Sequence, residues 1–118
     1  MDSQKIAEFL KTYKSFAQKN WTLIPRKKNL DSIAELGIAI KQAKTAVLGL
    51  TVTDYCSGPE EDYSRQGVHV WVFGAKINDA EIHIKLSDDF SGDQAKCLSF
   101  HKAERPLKKP FKESENKK

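Results

Sequence analysis

The chain is short of the residues that staple or ligate. Among its 118 residues it has two cysteines, Cys56 and Cys97, far apart and in no Cys-x-x-Cys arrangement. That pattern reads as two reduced thiols and not as a disulfide framework. The three histidines, His69, His83 and His101, are scattered, and with these thiols they make no ligand set of zinc-site spacing. Long apolar runs are also missing, since none approaches the roughly 20 residues that a bilayer requires. The opening MDSQKIAEFLKTYKSF alternates charged and apolar residues without a continuous apolar stretch. Neither a signal peptide nor a membrane partner is expected, and a cytoplasmic location is. No repeat or low-complexity segment precedes the C-terminal tail.

What is present is an ordinary globular composition, 39% apolar and 31% charged, at a length suited to one domain. The net charge of +4 has a location. Residues 102–118 carry seven Lys/Arg against three Glu, while the first 101 residues are balanced. A basic tail suits a polyanion or an acidic partner, or it is a solvated segment that aids solubility. The expected division is a domain over 1–111 and a flexible basic tail over 112–118.

Helical spacing of Ile6, Phe9, Leu10, Tyr13, Phe16 and Ala17 predicts an amphipathic helix over 3–19, with Ser3 as its cap. WTLIPRKKN then reads as a connector broken at Pro25, with Arg26, Lys27 and Lys28 as a basic run on a loop that either touches phosphates or is simply exposed. LDSIAELG reads as a short helix with Leu30, Ile33 and Leu36 inward and Gly37 as its stop. IAIKQAKTAVLGL reads as a third helix ending near Gly49. Thr51 and Asp54 have capping-box spacing, which implies a short turn over TVTDYC. The acidic SGPEEDYSRQG reads as a loop, with Arg65 available to order its carboxylates.

The pattern then changes period. VHVWVFG, EIHIKLS and AKCLSFH read as three strands joined by short links, one of them the turn signal Asn78-Asp79. Helices first and sheet second make an α+β class with a C-terminal antiparallel meander. Alternation puts Ile82, Ile84 and Leu86 on one face and His83 and Lys85 on the other. In the last strand it puts Leu98 and Phe100 together, with Cys97, Ser99 and His101 opposite. The apolar sets must lie against the helices, so His83, Lys85, Ser99 and His101 are expected to share the far face. Trp71 either borders that cluster or lies in the core, because its strand is apolar on both sides. Tyr55 either stacks on a base or packs beneath the loop. His69 stands apart as a structural or surface residue.

Metal-free cleavage of RNA needs a base for the 2′-hydroxyl, a cation for charge building on the phosphorus oxygens and an acid for the 5′-oxygen. Two histidines and a lysine can supply these, and the two imidazoles would titrate as a coupled pair with a bell-shaped pH profile. A nucleic-acid or protein binding face and a plain wet surface remain open beside catalysis.

VLGLTVTDYCSGPEEDY, VHVWVFGAKINDAEIHIKL and CLSFHKAERPLKKPF, in that order, resemble the MqsR (motility quorum-sensing regulator) family of bacterial toxins over about residues 28–111. The resemblance implies a RelE-like fold, helices on one face of a small antiparallel sheet. It implies a type II toxin–antitoxin toxin, an endoribonuclease that cuts mRNA and arrests growth and is neutralised by a cognate antitoxin, through which it can also oligomerise. No metal or organic cofactor is implied. Lys85 falls in the family's strand motif, and His101 ends the Ser-Phe-x motif where the family places a basic residue. His83 stands where many relatives have tyrosine. Where studied members use an upstream lysine and glutamine this chain has Ser57 and Val72, which implies either chemistry moved onto the histidines or weak activity. The expected catalytic residues are thus His83, Lys85 and His101, with RNA held by Tyr55, Trp71, Ser99, Arg26, Lys27, Lys28 and Lys102. The alternative is a non-catalytic RNA- or protein-binding module on the same fold.

Overall fold

Apolar residues recurring at helical spacing build the first element, α1 (Ser3–Lys19), and bury Ile6, Phe9, Leu10, Tyr13 and Ala17. The computed structural model describes residues 1–111, so the expected tail over 112–118 lies outside the described residues. The cap of α1 is Asp2 and not Ser3. Asp2 is extended and its carboxylate accepts from the Gln4 N–H at 2.8 Å, whereas Ser3 is already helical. After α1 come β1 (Trp21–Leu23), α2 (Lys27–Leu36), α3 (Ile40–Leu48) and β2 (Tyr55–Glu61). The meander β3 (His69–Ile77), β4 (Ala80–Ser87) and β5 (Ala95–Lys102) follows as expected. The fold is α+β, three helices against a five-stranded sheet of order β1-β5-β4-β3-β2. Among the described residues no helix is long and apolar enough to cross a membrane.

The sheet is mixed, and two of its strands lie where the sequence pattern indicates connectors. Trp21–Leu23 pairs in parallel with Ala95–Cys97. A three-residue strand is too short to show a period, and its partner lies far along the chain. Tyr55–Glu61 pairs antiparallel with β3 through two register shifts, which break the alternation that would have revealed it. The capping box before it is real: the Asp54 carboxylate accepts from the Thr51 N–H at 2.9 Å.

α2 begins at Lys27, a turn earlier than the apolar pattern indicated, so Lys27 and Lys28 are helical. Leu30, expected inward, is 42% exposed, and Asn29 is buried in its stead. The cause is the open edge of β5. Because β1 covers only its first residues, the later backbone groups of β5 need partners from elsewhere. Asn29 Nδ2 donates to the carbonyls of Ile24 (2.9 Å) and Leu98 (3.0 Å), and its Oδ1 accepts from the Phe100 N–H (3.0 Å). Ser32 Oγ accepts from the Lys102 N–H at 3.1 Å. Gly37 ends α2 at φ 70°, a left-handed position that glycine occupies without steric cost.

Ile82, Ile84, Leu86, Phe73 and Phe100 are fully buried on the helix-covered face. The Trp71 ring stacks on Phe9 with centroids 4.4 Å apart, so Trp71 belongs to the core. One face assignment is overturned in β5. Lys85 pairs with Ser99 but Leu86 pairs with Cys97, so a bulge holds Leu98 as the extra residue. The bulge turns Cys97 into the core with Phe100, and Leu98 leaves the apolar set for the opposite face. Burial pushes the Cys97 thiol well above its ordinary pKa.

The far face is covered in part by the chain after β5. Residues 103–111 turn back and cross the sheet over Gly74, which faces His83 across the β3–β4 ladder. A Cβ at Gly74 would stand 2.7 Å from Leu107 Cδ1 and 3.0 Å from Lys109 Cε, so a side chain there displaces the ends of those two strap side chains. The strap is fastened at its end, where Lys109 lies 3.5 Å from the Asp54 carboxylate and Phe111 packs edge-on to Tyr55 at 6.0 Å.

Candidate active site

Clean alternation in β4 sends His83 and Lys85 away from the helices, and the antiparallel register sets His83 opposite His101 and Lys85 opposite Ser99. The two imidazole rings stack, centroids 5.0 Å apart and planes 16° from parallel. Together with Lys85 and Ser99 they line one side of a cleft of about 600 Å³. Strap residues Glu104, Arg105, Leu107 and Lys108 line the other side. The expected polar cluster of two imidazoles, an ammonium and a hydroxyl is therefore assembled, in a cleft and not on an open surface.

The two rings differ in their surroundings. His101 Nδ1 lies 2.9 Å from the Lys102 carbonyl, which can only accept, so Nδ1 donates and the neutral ring keeps its lone pair on Nε2. His83 is half-buried, and its Nδ1 is buried with no hydrogen-bond partner among the described residues. Its pKa is lowered from 6.5, first by burial, then by His101 and the cationic Lys85 and Lys28, with Glu104 opposing. His83 is thus held as the neutral imidazole at pH 7. At the strap wall of the cleft Lys28 Nζ pairs with the Glu104 carboxylate at 2.9 Å and holds it below the ordinary carboxylate range.

The other expected contacts divide. Tyr55 and Trp71 are only 5% and 8% exposed and face the core. Tyr55 hydrogen-bonds the Gly58 carbonyl and lies edge-on to Trp71 and Phe73, so neither ring opens into the cleft. Lys27 is engaged by Asp31 one helical turn on, outside the cleft. Lys102 points toward Glu35, 3.5 Å away, and lines a smaller hollow beside the strap. Arg26 lies farther along the same sheet face, past Lys85. Cys97, expected beside the histidines, is in the core. His69 faces Asp88 at 3.4 Å, away from the cluster. Arg65, expected to gather the acids of its own loop, makes its side-chain ion pair with Asp89.

The strap residues were not foreseen as site residues. AERPLKKP carries a basic, proline-punctuated pattern, but nothing local in it says that the segment folds back across the sheet. What the arrangement offers is a neutral imidazole, a second imidazole with a free ring nitrogen, and an ammonium, in a cleft rimmed by further cations. No family model, no curated protein and no solved structure matches the chain.

Proposed function

We propose that this protein is a metal-independent endoribonuclease of RelE-like fold, the toxin of a type II toxin–antitoxin pair, which cuts mRNA in the cytoplasm and is neutralised by a cognate antitoxin. The observation that carries the reading is the stacked His83–His101 pair beside Lys85 in one cleft. His83, held neutral, takes the proton of a 2′-hydroxyl. The freed 2′-oxygen attacks the adjacent phosphorus, and Lys85 stabilises the charge that builds on the non-bridging oxygens. Protonated His101, oriented through Nδ1 by the Lys102 carbonyl, donates from Nε2 to the departing 5′-oxygen. The products are a 2′,3′-cyclic phosphate and a 5′-hydroxyl. The reaction moves one proton onto His83 and one off His101, and exchange with water restores both. Arg105 and Lys108 in the cleft supply cations for the RNA backbone.

The test is induced expression in a bacterium, wild type beside His101→Ala and Lys85→Ala, with RNA ends mapped from the same cultures. Growth arrest with new 5′-hydroxyl ends in the wild type alone is the expected result. Arrest that survives both substitutions, or that comes without new ends, would move the assignment to a non-catalytic binding module.

A further inference from the structure

Beyond Lys85 the cleft continues into a second hollow of about 270 Å³, which shares Lys85 and Glu60 with the first. Its other walls include Arg26, Leu98 and the loop that carries Tyr63. Two side chains at this hollow, Tyr63 and Leu98, stand outside the core. Tyr63 is 99% exposed, although an aromatic ring ordinarily buries most of its surface. Its loop is nonetheless fastened. Asp62 accepts from the Ser64 N–H and hydroxyl at 3.0 and 2.6 Å, the Asp62 N–H donates to the Val68 carbonyl at 2.9 Å, and Arg65 is tied to Asp89. The ring is therefore displayed by an ordered loop. Leu98, extruded by the bulge, places an apolar side chain beside Val70 in this hollow.

We infer that this hollow is a subsite for one nucleotide flanking the scissile phosphate, its base stacked at Tyr63 over Leu98 and its phosphate against Arg26. The inference rests on the ribonuclease reading of the adjoining cleft. Stacking on an exposed aromatic is how single-stranded RNA is held without a duplex, and guanidinium suits a phosphate. The acids Glu60 and Glu61 on the opposite wall disfavour a phosphate there and set the base. Carboxylates only accept, so they select a base edge with an amino group. Cytosine, adenine and guanine carry one, whereas the single edge donor of uracil, N3–H, is flanked by two carbonyl oxygens that a carboxylate repels. The subsite thus discriminates against uracil at one position beside the cut.

The experiment uses the purified full chain and a randomised single-stranded RNA. Binding is read by fluorescence anisotropy on its 2′-deoxy counterpart, and cut sites are read by end sequencing. Tyr63→Ala is expected to weaken binding about tenfold, the scale of one base–aromatic stack, and to flatten the bias against uracil, while Tyr63→Phe keeps both. Wild-type affinity and an unchanged base profile in Tyr63→Ala would overturn the subsite and leave the ribonuclease reading standing. If wild type binds but does not cut, that reading falls, and the Tyr63→Ala effect on binding still decides the subsite. Wild type that binds no RNA overturns both.

Discussion

His83 and His101 face each other across the β4–β5 ladder with their rings 5.0 Å apart. A cationic charge on both at once is unfavourable at this spacing, and the half-buried His83 is the one whose charged form is penalised by burial. For the proposed reaction this predicts an acid limb in kcat/KM with its midpoint below 6.5, the ordinary value for histidine. A rate profile with purified protein measures it, and a midpoint above 6.5 would contradict the assignment of His83 as base.

The same shift has a consequence for stability. His83 binds its proton less readily in the folded protein than in the unfolded chain. Its contribution is therefore complete above pH 6.5 and is lost as pH falls through the lower folded-state value. Melting temperature should drop between pH 7 and 5, and His83→Gln should reduce that slope. The carboxylate of Asp89, pulled down chiefly by its hydrogen bonds to Lys96 and Ser91, acts in a separate window below 3.8.

Lys85→Ala is expected to lower kcat by about 10²–10³, the scale of one lost transition-state donor, with a smaller change in KM. Single-turnover cleavage of a short RNA separates the two. An effect confined to KM would make Lys85 a backbone contact and not a stabiliser of the phosphorane-like state.

Asn29→Leu should destabilise the fold by about 2–4 kcal/mol, because the buried N–H of Phe100 and the part-buried carbonyl of Leu98 lose their partner. Urea unfolding gives the figure. A loss under about 0.5 kcal/mol, the level of an ordinary surface substitution, would mean that the β5 edge does not depend on α2.

Gly74→Leu should lift the strap, since even a Cβ there meets Leu107 and Lys109 side-chain atoms. Tryptic cleavage after Lys108 should accelerate while the melting temperature changes by only a few degrees. Unchanged cleavage would show that the strap does not rest on Gly74.

Local rules determined a large part of this protein. The 3.6-residue spacing in α1, glycine at the end of α2, the Thr51–Asp54 box and the Asn78-Asp79 turn, with φ of 50° and 66°, are all decided by neighbours in sequence. Period-two alternation in β4 likewise placed His83 and Lys85 together on the side away from Ile82, Ile84 and Leu86. Tertiary structure decided what depends on distant backbone groups. The parallel pairing of Trp21–Leu23, the bulge that turns Cys97 inward and Leu98 outward, and the burial of Asn29 against an open strand edge leave no periodic trace. The strap is of the same kind. Its path over Gly74 follows from where β5 ends and from the pairing of Lys109 with Asp54, and it is what makes a polar sheet face into a cleft.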